Sequence, residues 1–235
     1  MQLNNIPVFI IAFLLPTITV GEISSNITLS SDYISRGVSQ TIGDPAIQGS
    51  IEYSHENEFY AGTWASNVDY YDESAPDADP IDDDRASHEL DFYAGYSDDI
   101  TDQIGWDISL YLYTYPDANR DLLENNEELF LGLNYENIEM QLSRDFDNED
   151  SYCGLDVPFP FISGLEASAH VGHYDINSLN INYDDYSIMI KKQYNSFSIS
   201  AIYTDTNMND VECTEYSGFS NLCDGRLSIL VSKDF

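Results

Sequence analysis

The sequence predicts an all-β protein, an antiparallel transmembrane β-barrel of about 12 strands preceded by a cleaved signal peptide. Polar and apolar residues alternate nearly everywhere after Gly21, and no long stretch keeps a helical apolar stripe. Many alternating runs approach the about 9–11 residues that a tilted strand needs to cross a bilayer. Short and long connections also alternate, as they do on the two sides of an outer-membrane barrel.

The first element is a predicted secretory signal peptide, residues 1–21. An apolar core from Ile6 to Leu15 leads to the exit Thr19-Val20-Gly21, after which we expect cleavage. The core is shorter than a transmembrane helix requires, and the n-region contains no Lys or Arg. The predicted domain organisation is therefore a signal peptide over 1–21 and a single barrel over 22–235.

Twelve alternating runs follow the signal peptide and predict the strands of the barrel. Short links such as 54–58, 136–137 and 195–196 alternate with long ones, of which 69–87, 114–126 and 205–224 are examples. We expect the short links to be periplasmic turns and the long links to be external loops. The runs are 23–33, 45–53, 59–68, 88–96, 104–113, 127–135, 138–146, 151–157, 165–174, 185–194, 197–204 and 225–235.

Aromatic residues end the apolar face of each strand that runs from a long loop to a short link. Because amphipathic rings favour the headgroup layer, aromatics at one height predict an interfacial girdle. Lys192 and Lys233 lie within two residues of it, where long side chains reach water. The predicted girdle consists of Tyr53, Tyr96, Tyr135, Phe159, Tyr194 and Phe235.

The opposite phase of each strand predicts the residues that line the lumen. With the apolar face toward lipid, only Lys191 and Arg226 face inward as bases, and His170 lies in the polar wall. An excess of inward acid would concentrate cations and exclude anions. The predicted inward acids are Asp32, Glu52, Glu89, Asp91, Asp107, Glu128, Glu139, Asp156, Glu166 and Asp185.

The overall charge limits the partners of the chain. Lys and Arg number 8 against 42 Asp and Glu, for a formal net charge of −34. Coulomb repulsion makes nucleic acid and anionic lipid faces poor partners. A solvated acidic surface, as in a saline habitat, accounts for much of this charge, while the apolar strand faces predict contact with outer-membrane lipid.

Two loops contain candidate functional residues. Loop 34–45 holds Arg36 before a Gly43-Asp44-Pro45 turn signal, and it either folds inward to narrow a pore or forms a hairpin that locks the rim. Loop 69–87 is rich in carboxylates but lacks the order of an EF-hand. It is either a diffuse sink for divalent cations or a solvated, repulsive loop.

Other motifs are few. Cys213 and Cys223 flank a short loop and are expected to pair in an oxidising compartment, which leaves Cys153 over. No metal-binding motif, phosphate loop or dinucleotide fingerprint occurs, so no cofactor is expected. Ser168 and His170 lie two apart on one strand face, but a hydrolase also needs a third group to orient the imidazole, and the sequence identifies none.

Several segments resemble the TorF family of porins, formerly described as a conserved proteobacterial protein of unknown function. The matching pieces spread through the mature chain and include "SDYISRGVSQTIGDPAIQGSIEY" (31–53), "FYAGTWASNVD" (59–69), "ELDFYAGY" (89–96), "YTYPDA" (113–118), "YTDTN" (203–207) and the closing "VSKDF". The resemblance implies an outer-membrane barrel of Gram-negative bacteria and a channel. The closing aromatic also resembles the signal read by the barrel-assembly machinery, an expected partner.

Three functions remain open at this point. The leading expectation is a narrow passive channel for small hydrophilic solutes or cations, without enzymatic activity. The second is a non-conducting surface or structural protein that acts through its external loops. The third is an outer-membrane lipid esterase that uses Ser168 and His170.

Overall fold

The computed structural model describes residues 21–70, 86–116, 118, 125–160 and 162–235. The predicted signal peptide, apart from Gly21, and most of the acidic loop 69–87 lie outside the described residues. Within the described residues, no helix is long and apolar enough to span a membrane.

Twelve antiparallel strands form a closed barrel, which confirms the predicted fold class. Each strand pairs with its neighbour in sequence, and β1 pairs with β14 to close the ring. A small hairpin, β2 and β3, lies between the first two barrel strands. The strands are β1 Glu22–Ser30, β2 Ile34–Ser35, β3 Val38–Ser39, β4 Ala46–Ser54, β5 Phe59–Tyr70, β6 Ala86–Thr101, β7 Ile104–Thr114, β8 Asn126–Tyr135, β9 Ile138–Asp145, β10 Ser151–Pro158, β11 Glu166–Ile176, β12 Ile181–Gln193, β13 Ser198–Thr206 and β14 Arg226–Asp234.

The period of two places apolar side chains outside and small polar ones inside. On β14, Leu227 is 62% exposed on the outer face, whereas its neighbour Ser228 is buried on the inner face. Ser228 and Ser30 share a hydrogen bond of 2.9 Å across the closing pair of strands. Outward apolar and inward polar residues are the pattern of a barrel whose outer face contacts lipid.

The two ends of the barrel differ in their connections. At the turn end, the strands are joined by 55–58, 102–103, 136–137, 159–165 and 194–197, and at the loop end by the remaining connections. The connection 146–150 is short, as the predicted runs 138–146 and 151–157 imply. The connection 177–180 is shorter than the predicted runs 165–174 and 185–194 imply, because β11 and β12 extend further toward the loop end than their alternation indicated. Likewise β6 continues past the predicted end at Tyr96 to Thr101, where β7 still supplies a hydrogen-bonding partner.

One helix, α1 (Asp210–Ser217), lies in the loop 207–225, where the strand pattern predicted only a loop. Asn209 caps the helix, and the Glu212 side chain accepts a hydrogen bond of 3.0 Å from the Asn209 backbone N–H. This capping box was visible in the sequence as Asn-x-x-Glu. A disulfide joins Cys213 to Cys223 and ties α1 to the end of the same loop.

The disulfide predicts a local loss of stability on reduction. It closes a loop with a sequence separation of 10, so its removal should destabilise the loop by about 2–3 kcal/mol. Hydrogen exchange of 209–224 should therefore accelerate in Cys213→Ser plus Cys223→Ser, while the barrel strands keep their protection. Cys153→Ser is the matched control because Cys153 is a free, exposed thiol outside this loop. Equal exchange in the double variant and the control would contradict this role.

Candidate functional site

The lumen is the candidate site, and the hairpin β2–β3 folds into it. Its turn is the pair Arg36-Gly37, and both residues have positive φ, 46° and 84°. A two-residue turn with two positive φ angles fits the tight type I′ geometry of hairpins. Glycine is required at the second position, because a Cβ there would collide with Thr206 and Asp185 of the barrel wall.

Asp32 holds the base of the hairpin in place. Its Oδ1 accepts hydrogen bonds from Ser39 at 2.6 Å and from Thr41 at 3.1 Å. Its Oδ2 accepts from Arg226 of β14 at 2.8 Å. Because this carboxylate binds the C-terminal side of the hairpin and also β14, the base of the hairpin is fixed to the barrel wall. Of the two sequence hypotheses for this loop, the inward fold matches the observed position.

Arg36 crosses the lumen to the far wall. Its Nη2 lies 2.5 Å from Glu128 Oε1 on β8 and donates a second hydrogen bond to Ser143 on β9 at 3.2 Å. The guanidinium carbon also lies 4.7 Å and 4.6 Å from the ring centroids of Tyr152 and Tyr174. Aromatic faces attract a cation, so these rings and the carboxylate hold Arg36 in one position. The hairpin tip therefore narrows the lumen.

A hydrophobic cluster covers the hairpin at the loop end. Val38 of β3 is 1% exposed and belongs to the same buried cluster as the disulfide and Leu222. Ile176 and Ile181 complete the cluster from the ends of β11 and β12. The loop-end parts of β11 and β12 and the loop that contains α1 thus pack on the hairpin at the loop end of the barrel.

All fourteen predicted pore-lining residues lie on the inner face or on the hairpin and its base. Five of the ten acids have basic partners. Asp32 pairs with Arg226, Glu128 with Arg36 and Glu166 with Lys191, the last at 3.4 Å. The remaining two basic contacts are those of Asp156 and Asp185 with His170.

The other five acids have no basic partner among the described residues. They run along the wall formed by β4 to β9, from the loop end of β6 to the turn ends of β4, β7 and β9. Tyrosine hydroxyls link them to the wall: Tyr93 donates to Glu52 at 3.1 Å, and Tyr60 donates to Asp107 at 2.6 Å. We call this set the acidic ladder: Glu89, Asp91, Glu52, Asp107 and Glu139.

Three cavities lie along the lumen, and two of them contain acids of the acidic ladder. A cavity of about 480 Å³ contains Glu89 and Asp91 on the loop side of the constriction. A second of about 490 Å³ contains Asp107 and Glu139 near the turn end. A third, also about 490 Å³, lies between them beside the hairpin and shares Arg36 with the first and Gln141 with the second. Space is therefore available around the hairpin along much of the barrel.

His170 takes part in a hydrogen-bond network with Asp156, Tyr152 and Asp185. The Nδ1 atom contacts Asp156 at 2.9 Å, and the Nε2 atom contacts the Tyr152 hydroxyl at 2.7 Å and Asp185 at 3.2 Å. The contacts of both ring nitrogens among the described residues are with these three side chains and not with Ser168. No group of three or more potential metal ligands occurs among the described residues either.

The predicted girdle residues lie on the outer face. Five of the six side chains are between 38% and 63% exposed. Tyr96 contacts Phe59 edge-to-face and Trp106 in a tilted arrangement on the outer surface. The two lysines near the girdle lie over its rings: Lys192 Nζ is 5.4 Å from the centroid of Tyr194, and Lys233 Nζ is 4.3 Å from that of Phe235.

A closed antiparallel barrel with an apolar outer face and a polar lumen has the architecture of an outer-membrane porin. Solved structures agree: the KdgM porin in complex with disordered oligogalacturonate matches with a TM-score of 0.57 at 8% identity, covering 92% of this chain and 99% of that one. The NanC porin gives 0.56 at 8% identity, with 90% and 98% covered. The COG4313 outer membrane channel from Pseudomonas putida F1 gives 0.51 at 12% identity, with 93% and 97% covered.

The chain belongs to the family Gcw_chp, described as bacterial protein of unknown function, whose model matches residues 18–235. The match supports membership of a bacterial family of unknown function, and it does not confirm the predicted name TorF. A search of curated proteins finds no match. At identities of 8–12%, the solved structures establish the shared fold and nothing about solutes.

Proposed function

We propose that the protein is a narrow, passive channel for small hydrophilic solutes in the outer membrane of a Gram-negative bacterium, and that it prefers cations. The observation that carries this proposal is the acidic ladder, because its acids line cavities on both sides of the constriction. A solute that moves through this lumen meets uncompensated carboxylates near both ends.

The size of the barrel supports a narrow pathway. A barrel of twelve strands is intermediate in diameter between small barrels that are filled by side chains and the wide barrels of 16–18-stranded porins. The hairpin occupies part of the lumen, and its tip is fixed to the far wall by Arg36. Small solutes therefore fit the remaining space better than folded or highly branched molecules.

The sign of the wall charge supports the preference for cations. Arg36, Arg226 and Lys191 are each already paired with an acid of the lumen. The acidic ladder has no such compensation among the described residues, so the lumen potential should be negative. Oligogalacturonate, a chain of sugar acids, is found with the KdgM porin. The acidic wall of this lumen would repel such a polyanion.

A second function is supported by one observation. The hairpin, α1 and the disulfide close over part of the loop end, as in a surface protein that does not conduct. Such a protein would act through its loops, and deletion of 205–224 would abolish partner binding without any change in solute uptake. The network around His170 gives no support to an esterase.

Planar-bilayer recording tests the channel directly, and cysteine modification shows whether current uses the lumen. In a Cys153→Ser background, Gln141→Cys places a thiol on the cavity wall, whereas Leu142→Cys places one on the outer face. A bulky, charged thiol reagent should reduce single-channel current in Gln141→Cys and leave Leu142→Cys unchanged. Absence of current steps in the unmodified protein at any KCl concentration would overturn the channel.

A further inference from the structure

The loop-side cavity of about 480 Å³ has an unusual lining for a passive pore. Nine aromatic side chains surround it, and many belong to contacting pairs. Tyr33 packs on Trp64 with ring centroids 5.4 Å apart, and Tyr93 stacks on Tyr111 at 4.9 Å. Its volume lies within the range of about 300–1,000 Å³ that is typical of sites for small molecules. We refer to this cavity as the tyrosine pocket.

Two carboxylates in the tyrosine pocket each have one buried oxygen without a hydrogen-bond partner among the described residues. Glu89 and Asp91 are only 4% and 5% exposed, and both side chains line the pocket. Glu89 Oε2 and Asp91 Oδ1 have no hydrogen-bond donor among the described residues. Tyr115 approaches the other oxygen of Glu89, at 3.5 Å. By contrast, both oxygens of Glu128 in the same pocket accept hydrogen bonds, Oε1 from Arg36 and Ser143 and Oε2 from Tyr113.

Unpaired buried carboxylates require a proton or a cation, because the isolated charge is strongly disfavoured away from water. Residues 89 and 91 alternate along β6 on the same face, so their side chains are about 7 Å apart at the backbone. An ammonium group placed between them can donate a hydrogen bond to each free oxygen. The surrounding rings would attract its charge and cover an attached apolar chain.

A metal ion fits this lining less well. Calcium takes about 6–8 oxygen ligands and magnesium needs near-octahedral coordination. The tyrosine pocket offers two free carboxylate oxygens, and no group of three or more metal-ligating side chains occurs among the described residues. Aromatic faces, which dominate the lining, favour an organic cation over a strongly hydrated inorganic one.

We propose that the tyrosine pocket binds a small aliphatic ammonium ion, with Glu89 and Asp91 as its counter-ions. The proposal names the solute class of the proposed channel and rests on that function. In this arrangement, the free oxygens of the two carboxylates accept hydrogen bonds from the ammonium group, and the alkyl part lies against the aromatic rings. The solute is then held on the loop side of the constriction before it passes Arg36.

Fluorescence of Trp64 provides a binding assay that does not depend on current. The chain has two tryptophans, and Trp106 lies on the outer face, so Trp106→Phe leaves only the one in the pocket. Titration of this detergent-solubilised variant with butylammonium chloride should give a saturable change. Neutral 1-butanol and equimolar NaCl should not, and a response to NaCl or CaCl₂ equal to that of butylammonium would overturn the assignment.

Charge-removing variants locate the site. Glu89→Gln plus Asp91→Asn, in the same Trp106→Phe background, should weaken butylammonium affinity by at least about tenfold, the factor that accompanies loss of one moderate interaction. The matched control, Asp107→Asn plus Glu139→Gln, removes two ladder charges near the turn end and should keep affinity within about twofold. Unchanged affinity in the first pair, or equal loss in both pairs, would overturn the proposal. The single variants Glu89→Gln and Asp91→Asn serve where the double variant does not assemble.

Parallel recordings of K⁺ current separate this proposal from the channel itself. Current without saturable butylammonium binding would reject the ammonium site and leave the channel intact. Saturable binding that needs Glu89 and Asp91, without any current, would establish the site and reject the channel. If the protein both conducts K⁺ and binds butylammonium, butylammonium should reduce the K⁺ current in the parent protein. It should not reduce the current in the variant that lacks Glu89 and Asp91.

Discussion

Potassium will cross the reconstituted protein in preference to chloride, by at least about fivefold in dilute salt. Two unit charges 4 Å apart in water interact by about 1 kcal/mol, which corresponds to about fivefold in relative concentration. The acidic ladder places five carboxylates along the lumen. Where the pathway is narrow, their combined effect on the K⁺ to Cl⁻ ratio should exceed this value of about fivefold for a single charge. Reversal potentials across a KCl gradient near 0.1 M measure the ratio, and the preference should shrink toward 1 M, where the Debye length falls from about 10 Å to about 3 Å.

Removal of ladder charge should reduce this selectivity. Asp91→Asn plus Asp107→Asn takes one charge from each side of the constriction, so the preference for potassium should fall markedly. The control pair Asp98→Asn plus Asp102→Asn removes the same formal charge from exposed positions at or near the turn between β6 and β7. A chloride preference in the parent protein, or equal effects of both pairs, would show that the ladder does not set the ion preference.

Loss of the Arg36 guanidinium should have the second large effect, an increase in cation conductance by up to about fivefold in dilute salt. Arg36→Ala removes the positive group that narrows the lumen and leaves Glu128 facing the cavity. Cation selectivity should rise at the same time, because one more acid becomes uncompensated. Single-channel recordings at 0.1 M and 1 M KCl separate this charge effect from widening alone, since only the former is strongly screened.

Two variants serve as controls for this effect. Arg144→Ala removes a guanidinium from the outward side of β9, where its partner Glu149 is an exposed acid 3.6 Å away, and should leave conductance unchanged. Arg36→Lys keeps the charge at the hairpin tip but loses the planar contact with Tyr152 and Tyr174, so it should change conductance much less than Arg36→Ala. Identical conductance in Arg36→Ala and the parent would place the hairpin outside the ion pathway.

Strand phase was predictable because the side-chain period of a strand is two and lipid enforces the contrast between faces. The alternation around Leu227 and Ser228 assigns β14 directly, and the same reasoning places Asp107 and Glu139 on the inner wall. Strand ends were less predictable. Asp98 and Asp99 interrupt the alternation of β6, yet the strand continues to Thr101 because β7 pairs with it.

Contacts across the lumen were beyond sequence reasoning, because they depend on strand tilt and stagger. Nothing local in the chain indicates that Arg36 meets Glu128, 92 positions later, or that Tyr93 of β6 reaches Glu52 of β4. Which acids remain unpaired follows from these contacts. The hairpin turn and α1 did have local signals, Arg36-Gly37 and the Asn209-to-Glu212 capping box, but neither signal specifies the packing of the segment that contains it.

Closure of the barrel also determines the order in which it folds. β1 pairs with β4 along Glu22–Ser30 but with β14 only over Asn26–Ser30, joined further by backbone hydrogen bonds between Ser25 and Phe235. The Thr28 and Ser232 hydroxyls that meet across this seam are 204 residues apart in the chain, so bringing them together carries a larger entropic cost than forming any neighbouring hairpin. The hairpins therefore form first and the pairing of β1 with β14 forms last.

Until β1 pairs with β14, both strands have an unpaired edge, which hydrocarbon cannot accommodate. Insertion into lipid and completion of the ring must consequently be coupled steps.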